Sequence, residues 1–144
     1  MLINQIDLLP CLFEQIVIPD LVEAELSDPD APTILQRWIA APPSWLTIQA
    51  VSAIDKTLSS LDLGEQAAIT LAQRLPADLL LIDERLGRQI ANDRGLPMIG
   101  TLGILDTAAT QGLIDLAQAM AQLQQTNFRV SRRIIQALLN KQTE

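Results

Sequence analysis

Residues 61–88 constrain this 144-residue chain more than any other stretch. A helical pattern covers residues 62–75 and stops at Pro76. Leu79-Leu-Leu-Ile82 follows, an apolar run without polar alternation, which reads as a strand covered on both faces. Asp83 comes next, and a second helix opens at Glu84 and runs to Arg94, with Gly95 suited to the position just beyond its end. A buried strand between two helices belongs to an α/β domain with a parallel sheet. In such sheets ligands collect beyond the carboxyl ends of the strands, and Asp83 stands at such an end.

The rest of the chain has the same grain. Residues 5–14 form a short helix limited by Pro10, and Ile16-Val17-Ile18 is a β-branched apolar strand. Pro19 suits the first position of a helix to Leu26, with Asp20 in its first turn, where the helix dipole favours an acid. A helix over 33–40 ends at Pro42-Pro43, and residues 45–49 alternate as a strand. After Ile82, Met98-Ile99-Gly100 is a short strand, Thr101 caps a helix over 102–111, and helices follow over 113–125 and 131–142, the last capped by Ser131. The expectation is one domain over residues 1–144.

Three acids stand out. On a helix wheel at roughly 100° per residue, Glu25 falls on the apolar face of Leu21, Val22 and Leu26, while Glu23 points away. Glu65 lies between Ala72 and Ile69 on the inward side, with Gln66, Thr70, Gln73 and Arg74 outward. A carboxylate on an apolar face is costly unless paired, protonated or bound to a metal. Glu65 is also three residues beyond Asp62, the spacing of a capping box, and Asp83 fits the N-cap of its helix. Helix caps and metal ligands are both open readings of Glu65 and Asp83.

Composition narrows the chemistry. The chain has no histidine and one cysteine, which removes Ser-His and Cys-His catalysis and histidine-based zinc sites. Hydrolysis would then fall to carboxylates or a hard cation held by them. The net charge of −7 argues against a general nucleic-acid-coating role but leaves a nuclease open. No apolar run approaches the ~18 residues of a membrane span, no leader is visible, and one cysteine suits a cytoplasmic protein. No glycine-rich phosphate loop follows a strand.

With these residues placed, the chain resembles the PIN-domain nucleases, in particular the subfamily close to VapC-type toxins. Four stretches carry the resemblance: Ile16-Val-Ile-Pro-Asp-Leu-Val-Glu-Ala-Glu-Leu26, Leu61-Asp-Leu-Gly-Glu-Gln-Ala-Ala-Ile69, Leu80-Leu-Ile-Asp-Glu-Arg-Leu-Gly-Arg88 and Gly100-Thr-Leu-Gly-Ile-Leu105. The resemblance implies a three-layer α/β/α fold around a parallel sheet. It implies an acidic cluster that binds Mg²⁺ or Mn²⁺ and cuts RNA, with Glu25, Glu65 and Asp83 as catalytic metal ligands and Glu84 as an outer helper. It further implies an antitoxin partner and a homodimer. Arg85 and Arg88, at the start of the helix after Asp83, are candidate RNA-phosphate contacts; ordinary solvated helix charges fit them equally.

Two departures matter. The family pattern opens with a central strand ending in an Asp, and Met1-Leu-Ile-Asn-Gln-Ile-Asp-Leu-Leu9 matches the helix after it, so the first, central strand is expected to be missing. Asp7 falls in that helix and is no substitute. A lysine common after the Gly-Thr-x-Gly motif is replaced around Ala109. Three readings follow: a metal-dependent endoribonuclease, a catalytically inactive PIN-like chain acting through an antitoxin or its own copy, and a plain α/β scaffold in which Glu65 and Asp83 are caps.

Overall fold

The fold comes from a computed structural model that describes residues 8–75, 77–125 and 132–142. The chain falls into two compact units. One runs over Phe13–Gly100. The other combines Leu8–Leu12 with the described residues from Thr101 onward.

The Phe13–Gly100 unit is the α/β part. Strand β1 (Ile16–Pro19) leads directly into helix α2 (Asp20–Ser27), then α3 (Thr33–Ala40) and strand β2 (Leu46–Gln49). A one-turn 3₁₀ helix at Lys56–Leu58 precedes α4 (Leu63–Arg74). Strand β3 (Leu80–Leu81), helix α5 (Arg85–Asp93) and strand β4 (Met98–Ile99) complete the unit. Both strand pairs are parallel, as alternating helices and strands require. β1 pairs with β2 in the register Ile16 to Leu46 through Pro19 to Gln49. β3 pairs with β4, Leu80 opposite Met98, and the N–H of Ile82 donates to the Ile99 carbonyl at 3.0 Å. Among the described residues the pairs form two separate two-stranded sheets. Helix α4 packs against both β1 and β3, and also against α2. Its Ile69 and Ala72 meet Leu58, Leu61, Leu80, Ile82 and Ala91 in the core of this unit.

Three expectations are corrected. Leu79–Ile82 is not covered on both faces: Leu80 and Ile82 are buried, while Leu81 is exposed. The face carrying Leu80 and Ile82 packs into the core with Ile69 and Ala72 of α4, and the face carrying Leu81 is open among the described residues. Thr70 does not face outward but is buried, 4% exposed. Helix α4 is covered on several sides, so its inward arc is wider than the wheel assigns. Third, Glu84 and not Asp83 is the N-cap of α5, which begins one residue later than expected.

The second unit is helical. Helix α1 (Leu8–Leu12), α6 (Thr101–Thr110), α7 (Leu116–Gln124) and α8 (Arg132–Gln142) enclose Leu8, Leu105, Ala108, Leu116, Ala119, Met120 and Leu123. Asp115 caps α7, its Oδ1 accepting from the Gln118 N–H, so that helix starts later than the sequence suggests. Gly112 (φ +76°) ends α6 and Gly95 (φ +73°) ends α5 in the left-handed region, as their positions imply. Residues 5–7, Asp7 among them, and the Pro76 stop and Ser131 cap lie outside the described residues. Among the described residues no helix is long and apolar enough to cross a membrane.

Candidate metal centre

Helix α2 places Glu25 in its last turn, and α2 packs on α4. The Glu25 carboxylate lies directly over Gly64, the second residue of α4: a Cβ built there would stand 2.6 Å from Oε1. Glu25 as a residue is exposed and Glu23 is half-buried, the reverse of the wheel argument. None of the residues of α2 is fully buried, so this short helix does not bury a whole face. Its carboxylate tip nevertheless lies against Gly64 of α4.

Glu65 is the next residue of α4 and is half-buried in the first turn. Burial pushes its carboxyl pKa above 4.5, and the negative charges of Glu84, Asp62 and Glu25 push the same way. Asp62 is the N-cap residue of α4, but its side chain makes no capping hydrogen bond. The reciprocal capping box is therefore incomplete. Glu84 is tied down: its Oε2 accepts the Gly87 N–H at 2.8 Å. Gly87 also brings the elements close, since a Cβ there would stand 3.5 Å from Glu65 Oε2 and 2.7 Å from Ile82 Cδ1.

Asp83 leaves the carboxyl end of β3, and its Oδ1 lies 2.7 Å from where a Cβ of Gly100 would be. Gly100 follows β4, so the ends of two paired strands set this contact. Arg88 Nη1 lies 3.5 Å from the same point. Arg85 and Arg88 are both exposed on α5.

The structure thus gathers Glu25, Glu65 and Glu84 into one electrostatic neighbourhood, with Asp62 beside them. It puts Asp83 with Arg88 at Gly100. Among the described residues no three carboxylate or thiol groups stand close enough, as the side chains lie, to hold a metal ion. The donor set is all oxygen, which suits Mg²⁺ or Mn²⁺. Gly64 and Gly100 leave the space that the Glu25 and Asp83 carboxylates occupy. Sequence reasoning missed these glycines. Their signal was available: Gly64 stands in the first turn of α4 and immediately precedes an acid.

A family model described as a PIN domain matches residues 1–144, and the chain belongs to the PIN-domain family. PIN domains are in general nucleases. No curated protein and no solved structure matches the chain significantly.

Proposed function

We propose that this protein is a metal-dependent endoribonuclease of the toxin type, close to the VapC subfamily, that hydrolyses RNA phosphodiester bonds. The observation that carries the reading is the grouping of acids at the start of α4: the Glu25 carboxylate lies over Gly64, Glu65 follows half-buried, and Glu65 Oε2 lies near Gly87, whose N–H Glu84 accepts. Concentrated like charge of this kind opposes folding and is at home where a cation is to be bound. Glu25, Glu65 and Asp83 are the residues that would hold Mg²⁺ or Mn²⁺. When bound, such a cation supplies Lewis acidity at the phosphodiester and activates water for attack. Glu84, engaged by the Gly87 N–H, fixes the start of α5 and adds negative potential at Glu65. Arg85 and Arg88 project from that same helix start to bind and orient RNA phosphates, and Arg88 does so beside Asp83.

Among the described residues the β1–β2 and β3–β4 pairs are separate sheets; the family's first strand would join them, and its Asp would complete the ligand set. That same separation, with no three acids gathered among the described residues, favours a second reading: an inactive PIN-like protein that binds an antitoxin or a second copy of itself, covering open strand edges. RNA cleavage with and without Mg²⁺ or Mn²⁺ separates the two. The nuclease reading expects cation-dependent cleavage that Asp83→Asn and Glu65→Gln reduce to background. Equal cleavage by wild type and Asp83→Asn would sink it. Light scattering that finds only a monomer removes the homodimer.

A further inference from the structure

We infer that Gly64 and Gly100 are positioning residues for the carboxylates of Glu25 and Asp83, which sit in the space that a side chain at either glycine would fill. The inference rests on the nuclease reading above. Neither glycine is explained by its backbone. The positive φ angles among the described glycines belong to Gly95 and Gly112, so residues 64 and 100 hold conformations open to other amino acids. Gly64 is moreover unfavourable where it stands, because glycine weakens a helix relative to alanine.

Clearance does explain them. A Cβ at residue 64 would lie 2.6 Å from Oε1 and 3.0 Å from both Cδ and Oε2 of Glu25. The whole carboxylate therefore rests on the bare Cα. At residue 100 a Cβ would lie 2.7 Å from Asp83 Oδ1, 3.4 Å from the Ile82 carbonyl oxygen and 3.5 Å from Arg88 Nη1. Gly87 differs. Its hard contact is Ile82 Cδ1 at 2.7 Å, and Glu65 Oε2 at 3.5 Å is ordinary van der Waals contact. That glycine makes room for the core rather than for an acid.

The two positioning glycines should also fail differently. Glu25 is long and exposed, so a methyl at residue 64 turns its carboxylate outward at little cost to the fold. Asp83 is short and the Ile82 backbone adjoins it, so a methyl at residue 100 strains the strand end as well. Gly64→Ala is for that reason the cleaner variant. It improves the helix while moving one acid.

The test uses the full chain, with Mn²⁺ binding followed by electron paramagnetic resonance and melting followed without metal. Gly64→Ala is expected to melt no lower than wild type and to bind Mn²⁺ about 10- to 100-fold more weakly, the usual effect of losing a group that orients a ligand. Glu25→Asp removes one methylene and with it the collision. Gly64→Ala combined with Glu25→Asp should therefore bind more tightly than Gly64→Ala alone. Equal Mn²⁺ affinity in wild type and Gly64→Ala overturns the positioning role and leaves the nuclease reading standing. A double variant no better than Gly64→Ala overturns it too. A wild-type chain that neither binds Mn²⁺ nor cleaves RNA overturns both.

Discussion

Glu84 Oε2 accepts the backbone N–H of Gly87 at 2.8 Å, and this one contact assigns the start of α5 to Glu84 rather than to Asp83. Two acids adjacent in sequence thereby acquire different work. Glu84 satisfies a helix-end donor that would otherwise lack a partner, while Asp83 is carried to the strand end at Gly100.

Glu84→Ala should cost the cap, about 0.5–2 kcal/mol of stability. It should also lower the Glu65 pKa, because Glu84 is the first of the three charges raising it. Urea unfolding measures the first effect, and carbon-13 NMR titration of the Glu65 carboxyl measures the second. A loss of stability with an unchanged Glu65 titration would break the link between the two acids.

Glu65 makes a prediction about pH. A carboxyl whose pKa in the folded protein lies above 4.5 binds its proton more readily folded than unfolded. Its charge therefore opposes folding at neutral pH. That penalty fades as pH falls through the folded value and is gone below 4.5. Glu65→Gln should stabilise the metal-free protein at pH 7, and the gain should vanish as pH drops below 4.5, while cleavage is lost. Parallel urea midpoints for the two proteins across that range would refute the assignment.

Asp55 has the opposite sign. Hydrogen bonds from Thr57, then from Arg94, hold its carboxyl well below the usual value of 3.8, at about 2. Arg94 contacts Asp55 Oδ2 at 2.8 Å, Gln73 Oε1 at 3.0 Å and Thr57 Oγ1 at 2.8 Å, tying the 3₁₀ turn to α4 and α5. The stability from Asp55 should be fully present above pH 3.8 and lost as pH falls through 2. Arg94→Met should move the Asp55 titration midpoint upward, with Thr57 keeping it below 3.8. A midpoint unmoved by that change would remove the ion pair from the account.

How much of this was legible follows from which forces are local. The helices over 33–40 and near 62–75 stand close to where pattern and caps put them, because spacing and stop residues act within a few positions. The parallel strands were legible from their alternation with helices. What escaped depended on partners distant in sequence. Whether Leu81 is covered depends on whether another element packs on its face of the sheet, and no local pattern states that. The Glu25 carboxylate lies over Gly64, a residue far from it in sequence, and no local pattern states that contact. Asp83 was the cap that residue preference favoured, and the turn geometry gives that place to Glu84, one residue on.

Thr70 tests the packing of α4 directly. It was expected on the solvent side and is instead buried, with its Oγ1 lacking a hydrogen-bond partner among the described residues. A buried hydroxyl without a partner costs about 1–3 kcal/mol, and Thr107 and Thr110 on α6 show the usual relief, each bonding the carbonyl four residues back. Valine has nearly the shape of threonine and no hydroxyl to desolvate. Thr70→Val should therefore raise stability by roughly 1 kcal/mol, read as a higher urea midpoint with an unchanged slope. A lower midpoint would mean that Oγ1 is hydrogen-bonded in solution, and that the side of α4 carrying Thr70 receives a polar group.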